Sequence, residues 1–246
     1  MTPFYQDWTF WSSFVALLAL VLSQLPPIHI LFRRAALDVE VYNRIALNHR
    51  VGNALAQLHV IFRNTGGSSL KVQGIELTFE RDGAADLILP AQGYFSNPGD
   101  KEAVLLTTFT LEPKAEWGHI VNFFKPLQRP DERTLRQLES NLRADIVHKR
   151  SQLEDKSVVV AADDGNVQPL IDLSNTRLPW LPGDYTITVN VRTSPKAKIQ
   201  VRRYRAIIFE SDATELRNYS DGYKYGFGVL VPTPDQNGVV VAITQQ

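Results

Sequence analysis

The chain is 246 residues long and carries 26 basic against 26 acidic side chains, so no net field draws it to nucleic acid. It has no cysteine, which excludes disulfides, thiolate metal sites and cysteine nucleophiles. Beyond an apolar N-terminus, the length suits one large β domain or two small ones.

The first element lies between Trp8 and Phe32, WTFWSSFVALLALVLSQLPPIHILF, which holds no Asp, Glu, Lys or Arg. Residues Trp8 to Leu25 number 18, roughly 27 Å as a helix and close to the thickness of bilayer hydrocarbon. The expectation is a single transmembrane helix, within an N-terminal unit 1–34 of tail, span and interfacial segment. Trp8 and Trp11 would form the aromatic belt at one interface, and Arg33 and Arg34 would reach the phosphates at the other. Pro26 and Pro27 stop the helix, because a proline ring disfavours helical dihedrals before it and lacks a donor. Asp7 precedes the span, whereas Arg33, Arg34, Arg44 and Arg50 follow it. That asymmetry predicts an N-terminus outside and a cytoplasmic C-terminal domain in a single-pass membrane protein.

Two kinds of partner follow from this segment. One is the lipid bilayer. The other is a protein partner or a second copy of the chain, packed on the small residues Ser12, Ala16, Ala19 and Ser23, which share one face of the helix. Nucleic acid is not expected.

Residues 35–246 read as a β domain. Leu37 to Leu47 alternates weakly and predicts a first strand. In Leu55 to Phe62, Leu58, Val60 and Phe62 share a face. Leu70 to Glu80 places Ile75, Leu77 and Phe79 inward. Asn64-Thr65-Gly66-Gly67 and Arg81-Asp82-Gly83 punctuate them, so Leu55 to Glu80 is a hairpin or a pair that switches sheets. Further strands are predicted at Leu87 to Leu89, Ala103 to Leu111 and His119 to Phe124. Pro130 to Asp155 then changes period: Leu135, Leu138, Leu142 and Ile146 recur at helical spacing behind Pro130-Asp131-Glu132, which predicts a long amphipathic helix inserted at about 130–155.

Strands resume at Val158 to Ala162, closed by Asp163-Asp164-Gly165-Asn166 as a turn. Tyr185 to Thr193 alternates most clearly, with Tyr185, Ile187, Val189 and Val191 against Thr186, Thr188, Asn190 and Arg192. Lys198 to Glu210 is its expected partner, and Tyr223 to Val231 and Val239 to Thr244 complete the count. Pro182-Gly183-Asp184-Tyr185 before Thr-Ile-Thr-Val resembles the Gly-x-Tyr corner of immunoglobulin-like sandwiches. The strand ending in Asn64-Thr65-Gly66 is similar to such modules as well. The resemblance implies an immunoglobulin-like antiparallel β-sandwich, without the disulfide of antibody domains, and implies nothing about activity.

His29, His49, His59, His119 and His148 are mutually distant in sequence and give no HxxxH or HExxH pair. No GxSxG, GxGxxG or GxxxxGK[ST] segment occurs, so neither a nucleophile elbow nor a phosphate loop is expected. No catalytic, cofactor-binding or metal residue is assigned, and the chain is read as a non-enzyme. The basic strand bearing Lys196, Lys198, Arg202, Arg203 and Arg205 is a possible contact surface for anionic groups, or else a charged edge that blocks aggregation. The functional expectation is a binding, scaffold or sensor subunit of a membrane complex. The alternatives are an envelope or extracellular-facing binding domain of inverted topology, and an enzyme whose site is assembled from scattered residues.

Overall fold

The computed structural model of the protein describes residues 8–24, 34–97, 99–100, 102–155, 157–199, 202–232 and 238–246. Helix α1 runs Trp8–Gln24 and is 17 residues long. At its ordinary rise it reaches about 25 Å, against about 30 Å of bilayer hydrocarbon. No helix among the described residues is long and apolar enough to cross a membrane. That corrects the expectation of a transmembrane, single-pass protein with an outside N-terminus and a cytoplasmic domain. The interfacial roles given to Trp8, Trp11 and Arg34 fall with the span; Arg33, the tail 1–7 and the segment 25–33 lie outside the described residues.

Eleven strands follow among the described residues: β1 (Ala36–Arg50), β2 (Asn53–Asn64), β3 (Leu70–Arg81), β4 (Ala84–Phe95), β5 (Val104–Leu105), β6 (Phe109–Leu111), β7 (Glu116–Phe124), β8 (Gly183–Ser194), β9 (Lys198–Ile199), β10 (Arg203–Ile208) and β11 (Val239–Gln245). Eight of them close on themselves in the order β1–β2–β7–β4–β3–β8–β10–β11 and back to β1, each neighbour antiparallel. The immunoglobulin-like sandwich gives way to this ring. Two strands account for the difference, because each passes from one side of the core to the other. Leu87 to Pro90 of β4 pairs with β3, then Ala91 to Phe95 pairs with β7. Val239 to Ala242 of β11 pairs with β1, then Ile243 to Gln245 pairs with β10. A sandwich leaves edges unpaired; closure removes them. β2 and β3 do not pair with each other, so that hairpin is a switch between the two sides.

Period-two alternation fills the ring. Leu58, Val60 and Phe62 of β2, Ile75, Leu77 and Phe79 of β3, and Ile187 and Val189 of β8 all lie in one buried cluster. Trp180, fully buried, meets Phe79 edge to face at 5.2 Å and donates its indole N–H to the Asn48 carbonyl at 2.6 Å. Tyr185 begins β8 from inside the core. Its hydroxyl donates toward the Leu181 carbonyl at 2.9 Å and accepts from the Leu181 N–H at 3.2 Å, tying the strand to the turn before it.

The amphipathic helix is α2, Arg129–Ser151, with Leu135, Leu142 and Ile146 as its buried stripe. It does not lie alone. Residues read as a strand and a turn give an unpaired stretch and then α3, Asp164–Arg177. With the ring closed, Val158 and Val159 have no strand to join and stay exposed. The strand expected at Tyr223 to Val231 is instead the 3-10 turn Tyr219–Tyr225 followed by an irregular loop. Its apolar residues serve a different neighbour: Tyr223 and Val229 join α2, α3 and Val51 in a second buried cluster. α4, Glu210–Asn218, falls where the expected partner strand of β8 ran out, and it inserts Ala213 and Leu216 into the main core.

Candidate functional site

Three regions of this framework could engage another molecule. The first is α1 itself. Every residue from 8 to 23 is exposed, and Leu17 and Leu20 are 61% and 63% accessible. The described part of the chain offers this helix no cover. Neither buried cluster contains a residue from it. Ser12 and Ser23 satisfy their hydroxyls within the helix, donating to the carbonyls of Thr9 at 3.0 Å and Leu20 at 2.7 Å. The small-residue face of Ser12, Ala16, Ala19 and Ser23 therefore offers close approach rather than free donors.

The second region collects part of the basic strand. The structure divides those residues into three groups. Lys196 and Arg203 are exposed. Arg205 makes a two-pronged bond to Asp184 (Nε–Oδ1 2.7 Å, Nη2–Oδ2 2.9 Å), and that bond holds the Asp184 carboxyl below the usual carboxylate range. Lys198 and Arg202 come together with Arg34 around an open cleft of about 750 Å³ at the start of β1. β9 brings Lys198 there by pairing in parallel with Ala36 and Leu37. The nearby Arg202 donates from Nη2 to Asp38 Oδ1 at 2.8 Å. The sequence had placed Lys198 and Arg202 on one strand. It gave no sign that Arg34 joins them, because only the β1–β9 pairing sets that contact.

The third region is the outer face of β1, β2 and β7. β1 carries a bulge in which Tyr42, Asn43 and Arg44 oppose the single residue His59 of β2. Such bulges re-aim side chains, and Tyr42 is pushed out beside His59 to wall a concavity of about 250 Å³ floored by Gly118 and Ile120. A smaller hollow of about 170 Å³ adjoins Asn48, Gln57 and Asn122. Neither hollow is lined by a charged residue. Where α2 meets the barrel, a cleft of about 440 Å³ is bridged by Arg50 and Glu139 at 2.9 Å.

The buried titratable groups are structural in their contacts. His49 accepts the Gly52 N–H on Nδ1 at 3.0 Å and donates from Nε2 to the Leu216 carbonyl at 2.7 Å. Burial lowers its pKa, opposed by the bond to Leu216, so it is a neutral imidazole clamping the β1–β2 turn to α4. Burial likewise raises the Tyr223 phenol, whose hydroxyl meets that of Ser174 at 3.0 Å. His119 donates from Nδ1 to the Phe95 carbonyl at 3.1 Å. His29 lies outside the described residues. Among the described residues, no three His, Asp or Glu side chains converge as a metal site would require. Asp163 is engaged by Lys149, and its own N–H donates to Asp145, which places it in the contact between α2 and α3.

The arrangement defines a closed antiparallel β-barrel with a helical cap and an uncovered apolar helix ahead of it. Compared with known protein families, curated proteins and solved structures, the chain matches none.

Proposed function

We propose that this protein is a non-enzymatic binding subunit, a scaffold or sensor, that works in an assembly built through α1. One observation carries the reading: a 17-residue helix without a charged side chain whose surface is exposed on all sides. A helix that is apolar all round is stable only when it is surrounded. One partner helix would cover a single stripe, so several neighbours are needed, and the proposed occupants are α1 helices of further copies of this chain. The face of Ser12, Ala16, Ala19 and Ser23 sets the closest approach, and the larger Leu17 and Leu20 fill the outer contacts. In such an assembly the β domains are displayed around a helical bundle, each presenting its own clefts.

The absence of native cysteine makes the test clean. Single cysteines at Ala16 and Ala19 should give disulfide-linked dimers of the full chain under mild oxidation. Cysteine at Lys71, exposed on β3, should not. Removing residues 1–33 should yield a folded monomer, since both cores are built without α1. Full chain that stays monomeric by light scattering, with no cross-link at either alanine, sinks the proposal.

A further inference from the structure

The cleft of Arg34, Lys198 and Arg202 is more than a charged edge, and we infer that it is a binding site for a phosphate-class oxyanion. Three observations converge on it. Arg34, Lys198 and Arg202 line one concavity, opposed only by Asp38 among its lining residues. Asp38 is already committed to Arg202 at 2.8 Å. Arg34 and Lys198 are exposed and make no ion pair among the described residues, so the cleft keeps an excess of positive charge. The second observation is that Arg202 is already oriented: Nη2 is bonded to Asp38 at 2.8 Å and the side chain keeps 22% of its surface exposed, so its charge is presented at the cleft from a fixed position.

The third observation is rigidity. The β1 start is clamped from two sides: the Lys198 N–H donates to the Ala35 carbonyl at 3.0 Å, and the Thr65 N–H donates to the Ala36 carbonyl at 3.0 Å. Gly66 packs so closely that a Cβ there would sit 2.5 Å from the Arg34 carbonyl. The backbone that presents Arg34 is therefore fixed before any ligand arrives, and little ordering opposes binding. A compact, multiply charged oxyanion suits this set, since it can accept from guanidinium and ammonium donors together. A monovalent carboxylate would leave part of that charge unmatched.

Free phosphate and a phosphate-bearing headgroup share this chemistry, and the experiment separates them. Full-length protein is titrated calorimetrically with inorganic phosphate at ionic strength held constant with chloride. In parallel it is floated with phosphatidylcholine vesicles, with and without phosphatidic acid. Heat of binding with inorganic phosphate assigns a free anion; phosphatidic-acid-dependent flotation without that heat assigns a headgroup. In either arm Arg34→Ala and Lys198→Ala should each weaken binding about tenfold, a loss of about 1.4 kcal/mol. Arg205→Ala, which removes a cation outside the cleft already paired with Asp184, should leave it unchanged. Both cleft substitutions are at exposed positions, so the fold is not at stake. The inference is overturned if neither arm shows phosphate-dependent binding. It is equally overturned if such binding survives in Arg34→Ala and Lys198→Ala, because α1 or another surface would then be responsible.

Discussion

Tyr185 offers a direct test of how β8 is held. The side chain is 5% exposed and belongs to the main core, and its hydroxyl meets the Leu181 carbonyl at 2.9 Å and the Pro179 carbonyl at 3.3 Å. Tyr185→Ala removes both the buried ring and the anchor, which should cost about 3–4 kcal/mol. Tyr185→Phe keeps the ring and loses only the hydroxyl. The Leu181 N–H retains a contact to the Pro179 carbonyl at 2.9 Å, so this loss should be about 1 kcal/mol. For a domain of this size the shifts in melting temperature are about 2–4 °C for Phe and about 6–16 °C for Ala. Thr186→Ala, on the outward side of the same strand, should fall within about 1 kcal/mol of wild type. Urea melts with unchanged slopes give the comparison. Equal losses for Tyr185→Ala and Thr186→Ala would refute the assignment of faces, and equal losses for Phe and Ala would refute the division between ring and hydroxyl.

Two further outcomes follow from the end of the barrel where the helices sit. Gly52 has φ +76° and a Cβ there would lie 2.5 Å from the Ser174 carbonyl oxygen of α3, so Gly52→Ala should destabilise by about 2 kcal/mol or more. Gly83, at φ +85° with open space around it, should lose only the left-handed penalty of about 1–2 kcal/mol as alanine; equal melts for the two would mean that α3 does not press on this turn. His49 gives a pH dependence. Its folded pKa is lowered by burial, so the unfolded chain binds the proton first, near pH 6.5. Its contribution is complete above that pH and is lost as pH falls toward the lower folded value. Stability measured between pH 7.5 and 5 should therefore drop more steeply in wild type than in His49→Gln, and parallel profiles would exclude His49 as the source.

Much of the strand content was legible in residue order, because the ring is filled by one face of each strand. Leu58, Val60 and Phe62 alternate with the less buried His59 and Ile61, and Tyr185, Ile187 and Val189 alternate with Thr186, Thr188 and Asn190, whatever they pair with; the stripe of Leu135, Leu142 and Ile146 marks α2 in the same way. The turn chemistry at Asn64 was readable too. Its side chain donates to the carbonyls of Ser68 and Leu111 and accepts the Gly66 N–H, closing the end of β2.

Pairing was not legible, and it decided the architecture. Alternation says which face is buried but not which strand lies beside it, so an open sandwich and a closed ring share one pattern. Only the two-sided pairing of β4 and β11 closes the circle. Closure then redirected apolar segments that look strand-like in isolation: Val158 and Val159 are left outside, and Tyr223 and Val229 pack against helices. The N-terminal segment shows the converse limit. Its composition fixed an apolar helix, but whether that helix is long enough for a bilayer is a matter of its extent, and among the described residues α1 runs Trp8–Gln24, with no helix there long and apolar enough to cross. The basic cleft is likewise tertiary. Lys198 and Arg202 were visible as charges, whereas Arg34 joined them only because a two-residue parallel pairing draws distant parts of the chain together.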